Sequence, residues 1–281
     1  MRSIAIAFLI GISFSANSKA ILAFKHQGLQ EWYRQLQNFE VVDLDSKLLA
    51  DCNEAEKQFA GLQYHWQALL RGKDPLWHFQ QIKSLQESKL QKPFGENEIL
   101  LNEVLCSFFM ARAASLQGQS LSSLSSYLGA TEALERLMEI KSSPEEAQLL
   151  LVIYNLAYHD FASNPLYWTI SAWLPKPKKE LSRQSLIAFE GSSSRLIASE
   201  AQYYSYRLLK EERDAQAEES LLKLMKAYPR NWIFRLEHYK SFGLQRRNAQ
   251  KQKAKLQREI EASNYLSKPE KEHFKTVLAS Y

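Results

Sequence analysis

Histidines are the residues best suited to metal binding or proton transfer, and their spacing favours neither role. The six are His26, His65, His78, His159, His238 and His273. A helical zinc site commonly uses two histidines four positions apart with a glutamate beside the first, and no such pair occurs. His159 precedes Asp160, which could orient an imidazole, but a surface or capping pair is the simpler interpretation. The sequence therefore predicts no metal site.

Motifs for covalent or phosphate chemistry are also lacking. There is no glycine-rich phosphate loop and no Gly-x-Ser-x-Gly turn. Gly191 precedes three serines, but no strand leads into it, so a connector between helices is the favoured interpretation. Adjacent acids such as Glu218 and Glu219 diverge by about 100° around a helix and cannot face one substrate together. We expect a protein without catalytic residues and without a cofactor.

Aromatic side chains are the stronger candidates for recognition. Tyr203 and Tyr206 lie three positions apart and share one helical face, whereas Tyr204 points elsewhere. Exposed aromatics on helical scaffolds can bind peptides or sugars, and we assign Tyr203 and Tyr206 to partner binding on this ground, with packing between helices as the alternative. For the tryptophans, packing between helices is the favoured interpretation.

A basic stripe is predicted near the C-terminus. Arg247, Lys251, Lys255 and Arg258 share one face of a helix, and residues 246–258 contain no acid. Such a stripe suits the phosphates of a membrane surface or an envelope polymer, and an ordinary solvated face is the alternative. Nucleic acid is disfavoured because no aromatic side chains are interleaved for base stacking.

The segment 164–179 combines Tyr167, Trp168 and Trp173 with two lysines. Aromatics beside lysines suit a bilayer boundary, so this segment is a candidate interfacial anchor. A short buried helix that ends at the prolines of the segment is the favoured alternative.

The elements that carry these residues are predicted to be helices throughout. Nine glycines are few for the turns of a sheet, and the apolar residues recur at intervals of three and four. Start signals recur at Asp74-Pro75, at Ser143-Pro144 and at Ser267 with Glu270. About twelve helices are predicted, near 22–39, 46–71, 75–91, 97–117, 120–141, 144–162, 165–174, 178–190, 196–211, 213–228, 231–243 and 246–263, with a short last one at 269–280.

One stretch carries a repeat-like pattern. Residues 198–231 place large, small and helix-ending residues at the positions of a helix-turn-helix unit of about 34 residues. The residues that define the pattern are Tyr204, Ser205, Leu208, Ala217, Leu221 and Pro229. This stretch resembles a tetratricopeptide repeat, with two departures: Ala201 where the family often has tryptophan, and Leu224 where it has a second alanine. The wider impression is of exported bacterial proteins with degenerate repeats of this kind.

The resemblance implies an all-α solenoid of stacked antiparallel helix pairs. Such stacks bind proteins or peptides on a concave surface and are not usually catalytic. The junction Tyr228-Pro229-x-Asn231-x-x-Phe234-Arg235 would end one pair and begin the next. Arg235 would then lie on a first helix, the kind that lines the inner surface, and is a candidate for partner contact.

The N-terminus has the pattern of a secretory signal peptide. Arg2 precedes an apolar run over residues 4–12, and Ser18 and Ala20 are the small residues of a cleavage site. Cleavage is expected after Ala20, with Ala16 as the alternative site and an uncleaved anchor or a first helix as the alternative structure. Removing residues 1–20 deletes two bases and no acid, which lowers the net charge from +5 to +3.

Export would place the protein in an oxidising compartment, yet it has only Cys52 and Cys106. Two buried thiols are favoured over a bridge. The predicted organisation is a signal peptide at 1–20, N-terminal helical repeats at 21–163, irregular short helices at 164–195 and tetratricopeptide-like helices at 196–281.

The leading hypothesis is a non-catalytic scaffold, periplasmic or extracellular, that binds an unidentified protein or peptide. The first alternative is an envelope-associated module that uses the basic stripe and segment 164–179. The second is a helical enzyme acting on glycans.

Overall fold

The chain is described by a computed structural model over the residues that follow. They are 27–40, 43–44, 46–88, 90, 94–129, 131–139, 148–152, 154, 176, 183–192 and 195–281. Over these ranges the regular structure is helical and no strand occurs, which confirms the predicted all-α class. The predicted signal peptide at 1–20 lies outside the described residues, as does segment 164–179 apart from Lys176.

The N-terminal helices run up to residue 139, with a further helical stretch at 148–152. They are α1 (Gln27–Gln37), α2 (Ser46–Ala50), α3 (Glu54–Leu70), α4 (Pro75–Glu87), α5 (Glu96–Leu116), α6 (Ser120–Gly129) and α7 (Thr131–Glu139).

The C-terminal helices begin at residue 183. They are α8 (Arg183–Glu190), α9 (Arg195–Glu211), α10 (Gln216–Ala227), α11 (Trp232–His238), α12 (Ala249–Ala262) and α13 (Lys268–Ala279). A π-helical turn, Tyr239–Gly243, continues α11.

Two of the three predicted start signals lie in described residues, and both begin helices. The Asp74 carboxylate accepts the backbone N–H of Trp77, 3.2 Å away, with Pro75 at the first position of α4. Before α13, the Ser267 backbone N–H donates to the Glu270 carboxylate at 2.8 Å. The third signal, at Ser143-Pro144, lies outside the described residues.

Two predicted helices are divided in the structure. The helix predicted at 46–71 is interrupted because Asn53 caps α3: its side chain accepts the N–H of Glu56, and the Glu56 carboxylate accepts the N–H of Asn53. The helix predicted at 120–141 becomes α6, which ends at Gly129, and α7, which begins at Thr131. At Asn53 a capping box overrides the apolar periodicity.

The largest core cluster draws on α1, α3, α5, α7 and α9. Helix α5 is its centre, with Val104, Phe108 and Phe109 fully buried. Of the helices that the structure describes, α5 alone is long and apolar enough to cross a membrane. Within its most apolar stretch of 18 residues, 78% is buried inside the protein. Most of its apolar side chains therefore pack against other helices of the protein.

Sequence-distant parts of the chain are in contact. Phe39, just after α1, stacks on Phe274 of α13 with ring centroids 5.7 Å apart. Asn231 donates from Nδ2 to the backbone oxygen of Gln37 at 2.8 Å, and the Arg230 N–H donates to Asn38 Oδ1 at 3.1 Å. The N-terminal and C-terminal groups of helices, which the prediction separates by residues 164–195, are therefore in contact.

Candidate functional site

An open cleft lies between the α10–α11 junction and the C-terminal end of α12. We call it the Arg235 cleft, and its volume is about 680 Å³. It is lined by Met225, Pro229, Trp232, Arg235, Glu259, Ala262, Ser263, Asn264 and Tyr265. Arg235 is the residue that the repeat pattern assigned to partner contact, so its position on this cleft makes the cleft the first candidate site.

The local sequence explains how the cleft is built. Helix α10 ends where the Tyr228 N–H donates to the Leu224 oxygen at 2.8 Å and Pro229 follows. Asn231 then caps α11, because its Oδ1 accepts the N–H groups of Ile233 and Phe234 at 3.0 and 3.2 Å. The short turn places Arg235 about one helical turn beyond the capping Asn231, with its guanidinium against Trp232.

Arg235 is held by a ring and by a carboxylate. Its Cζ lies 3.9 Å from the Trp232 ring centroid, and its Nη2 forms an ion pair with Glu259 of α12. Lys255 Nζ lies 3.7 Å from the other oxygen of the same carboxylate. Two cations thus share one acid at the rim of the cleft.

Two buried donors in the cleft wall lack hydrogen-bond partners among the described residues. They are the indole Nε1 of Trp232 and the hydroxyl of Ser263. Trp232 is 1% exposed and Ser263 is 8% exposed. Leaving a buried polar group without a partner costs about 1–3 kcal/mol. A ligand or water that supplies an acceptor to either group would therefore recover part of this free energy.

The predicted basic stripe is on the surface. Arg247 precedes α12, while Lys251, Lys255 and Arg258 lie on it, and all four are exposed. Arg258 donates to the Ala254 oxygen of its own helix at 3.2 Å. Only Lys255 contacts a lining residue of the cleft through a described ion pair, so the stripe leads up to the cleft without forming its wall.

The two predicted tyrosines differ in position. Tyr206 is fully buried, and its hydroxyl donates to Glu237 at 2.7 Å. Tyr203 is half-buried, with its ring centroid 5.9 Å from that of Phe234, and burial raises its pKa to about 12. Tyr206 therefore offers a partner no surface in this structure, whereas Tyr203 belongs to a second pocket described below.

The repeat-defining residues lie mainly inside the α9–α10 pair. Ala217 and Leu221 pack with Tyr206 and Leu209 in one cluster. Tyr204 and Ser205 are buried, Leu208 is half-buried and Pro229 is exposed at the Arg235 cleft.

A second pocket surrounds a buried arginine that the sequence did not single out. We call it the Arg112 pocket, and its volume is about 60 Å³. Helices α1, α3, α5, α9 and α11 contribute its wall, which includes Tyr33, Gln63, Trp66, Gln67, Arg112, Glu200, Tyr203 and Asn231. The sequence signal for this pocket was that Arg112 is the only basic residue of the apolar helix α5.

Arg112 lies in an aromatic setting. Its Cζ is 4.0 Å from the Trp66 ring centroid and 5.3 Å from that of Phe109. Burial lowers its pKa to about 10, an effect that Glu200 and nearby tyrosines partly oppose. In the pocket wall the Tyr33 hydroxyl donates to Glu200 at 3.3 Å.

Two histidines that no motif linked are neighbours in the fold. Nδ1 of His65 on α3 lies 2.8 Å from Nδ1 of His78 on α4. Burial, followed by the charge of His78, lowers the pKa of His65 to about 4. Within the described ranges no group of three or more ligand-type residues is placed to hold a metal. The pair is thus a buried neutral contact in which one imidazole donates to the other.

Both cysteines are free and buried. Burial raises the pKa of the Cys106 thiol to about 12, so it stays protonated near neutral pH and is a poor nucleophile.

Comparison with known proteins gives no relative. No family model, no curated protein and no solved structure matches the chain.

Proposed function

We propose that the chain is an exported, non-catalytic scaffold of tetratricopeptide-like helix pairs that binds an extended acidic segment of a protein or peptide in the Arg235 cleft. The observation that carries the proposal is the combination, in one open cleft, of a ring-stacked arginine with two buried donors that lack described partners.

The donors suit the backbone of an extended chain. Trp232 Nε1 and the Ser263 hydroxyl can each donate to a peptide carbonyl oxygen, and a peptide offers such acceptors at every residue. Met225, Pro229 and Tyr265 add apolar surface on which partner side chains can pack.

The charges favour acidic residues in that segment. Arg235 and Lys255 share the single carboxylate of Glu259, and the exposed Lys251, Arg247 and Arg258 extend the positive surface along α12. A partner carboxylate can pair with a cation that Glu259 does not satisfy. Such exposed pairs mainly raise the association rate and select the partner by charge.

Export and the repeat architecture rest on sequence. The apolar run after Arg2 and the small residues before the cleavage position support export. The pattern over 198–231, together with the burial of Ala217 and Leu221 beside Tyr206, supports a tetratricopeptide-like pair.

A displayed random-peptide library selected against residues 21–281 tests the proposal. We expect the selected peptides to be enriched in aspartate and glutamate. The Ser263→Ala variant should weaken binding of a selected peptide, measured by fluorescence anisotropy, because it deletes one donor. Lys251→Glu should weaken binding about tenfold through repulsion of the acidic segment.

Lys83→Glu is the matched control, because Lys83 is also exposed but lies on α4, which contributes no lining residue to the cleft. Wild-type affinity in this variant is expected. A selection without acidic enrichment, or equal losses in the Lys83 and Lys251 variants, contradicts the proposal.

The exposed basic stripe favours a second candidate function, attachment to an anionic envelope surface. Sedimentation with vesicles of phosphatidylglycerol and phosphatidylcholine separates the two. Binding to vesicles, lost in Lys251→Glu, with no selected peptide bound would replace the peptide-binding proposal by this one.

A further inference from the structure

We propose that the Arg112 pocket binds a carboxylate that neighbours an amide group. This chemistry is shared by the C-terminus of a peptide and by a free N-acylated amino acid. The site is separate from the Arg235 cleft, and the inference does not depend on the function proposed for that cleft.

The guanidinium supplies the anion-binding end. Arg112 is 5% exposed and lines the pocket with its charge buried against Trp66. Contact with the ring restricts how the guanidinium can turn, and its planar donors match the oxygens of a carboxylate. A buried positive charge in a pocket wall favours an anionic ligand over a neutral one of the same shape.

Two glutamines supply the amide-binding side. Gln63 and Gln67 are four positions apart on α3, so they lie on one face of the helix, and both line the pocket. Within the described part of the chain, Gln63 Nε2 and Gln67 Oε1 have no hydrogen-bond partner, although the residues are only 1% and 5% exposed. One is a donor and the other an acceptor, which is the complement of an amide C=O beside its N–H.

The size of the pocket limits the ligand. A cavity of about 60 Å³ holds a few waters or one small functional group, whereas sites for drug-sized ligands span about 300 Å³ or more. Nucleotides and large cofactors are too big. One carboxylate fits inside, with its adjacent amide and the rest of a longer ligand extending towards the pocket mouth.

The remaining wall refines the selectivity. Glu200 carries the negative charge of the wall, and its carboxylate accepts the Tyr33 hydroxyl. The ligand carboxylate must therefore lie against Arg112 and away from Glu200, and a second carboxylate would meet no further cation among the described lining residues. Ligands with a single carboxylate should therefore bind better than dicarboxylates.

Isothermal titration calorimetry with N-acetylglycine and its uncharged analogue N-acetylglycinamide tests the proposal on residues 21–281. We expect N-acetylglycine to bind at least about tenfold more tightly, because only it carries the carboxylate. Equal affinities for the two compounds, or heat from neither, would overturn the inference.

An acetylated tripeptide with a free C-terminus, and the same tripeptide amidated, distinguish the two sources. Tighter binding of the free tripeptide than of N-acetylglycine assigns the pocket to peptide C-termini. Binding of N-acetylglycine with exclusion of both tripeptides assigns it to small acylated amino acids. Equal binding of the free and amidated tripeptides contradicts a carboxylate site.

Gln63→Met and Gln67→Met separate a binding role from a structural one. Each removes one buried amide atom that lacks a described partner while keeping side-chain volume, so the unliganded protein should be about as stable as wild type. Affinity for N-acetylglycine should nevertheless fall. Gln80→Met, on the exposed face of α4, is the matched control and should bind normally. Wild-type affinity in both pocket variants would overturn the proposal.

Discussion

Arg71 at the end of α3 donates from Nε to the carboxylate of Glu270 in α13, a residue 199 positions later. The two side chains are 6% and 2% exposed. The same carboxylate accepts the Ser267 backbone N–H at 2.8 Å and its hydroxyl at 2.6 Å. One buried acid thus begins the C-terminal helix and attaches it to the N-terminal helices.

Replacing Glu270 by glutamine should destabilise the protein by about 3–5 kcal/mol, because it leaves the Arg71 charge buried without its acid. Urea unfolding followed by circular dichroism measures the change. Glu272→Gln is the matched control: Glu272 is exposed and pairs with Lys275 at the surface, so its loss should cost at most about 1 kcal/mol. Similar losses of unfolding free energy in the two variants would show that the Arg71–Glu270 pair contributes little to holding α13 against the N-terminal helices.

The buried histidine pair predicts a pH dependence. Burial lowers the pKa values of His65 and His78, that of His65 to about 4, whereas an unfolded histidine titrates near 6.5. Between these values the unfolded chain binds more protons, so stability should fall as the pH drops from about 6.5 towards 4. Lys73 and Asp74 act on His78 with opposite signs.

The His65→Gln variant should have a shallower slope of unfolding free energy against pH in that window, because it removes one group that titrates there. Denaturant unfolding at several pH values measures the slope. An unchanged slope in the variant contradicts the assignment.

Gly72 links α3 to α13 by close approach. It has φ of +70°, and a Cβ there would lie 2.4 Å from Cγ of His273. Gly118 has φ of +73° but no atom within 4 Å of such a Cβ, so Gly118→Ala carries only the backbone strain of about 1–2 kcal/mol. Gly72→Ala should lower the melting temperature more than Gly118→Ala does, and equal shifts would exclude a role for the contact with His273.

The N-terminus predicts a processed chain. Expression with a secretion system should yield a protein that begins at Ile21, because the residues before that position favour cleavage after Ala20, and such a product would keep all of α1, which begins at Gln27. N-terminal sequencing of the exported protein measures the site. A chain that retains Met1 would contradict a cleaved signal peptide, and one that begins at Asn17 would place cleavage after Ala16.

The helices were predictable because their signals are local. Asp74-Pro75 and Ser267 with Glu270 mark helix starts within a few residues, and the periodicity of α5 follows from its apolar side chains. The junction at Tyr228-Pro229 was expected to end one helix and begin the next, and Asn231 caps α11 there. The break before Asn53 was missed because the apolar spacing continues across it.

The Arg112 pocket and the His65–His78 contact were not predictable because they join residues from different helices. Periodicity can place Arg112 on an apolar helix, but it cannot say that Trp66 and Gln63 of α3 lie against it. Likewise, the sequence shows that Tyr203 and Tyr206 share a face of α9, but it does not show whether neighbouring helices cover that face. The core beside Glu237 and Ser241 covers Tyr206 completely.

Hydrogen–deuterium exchange with a bound acidic peptide from the library shows directly which residues the peptide covers. We predict slower backbone exchange at residues 225–235 and 259–265, which line the Arg235 cleft. Loss of this protection in the Ser263→Ala variant with the same peptide would support peptide binding in the Arg235 cleft. Protection confined to other helices, with both of these segments unchanged by a saturating peptide, would contradict it.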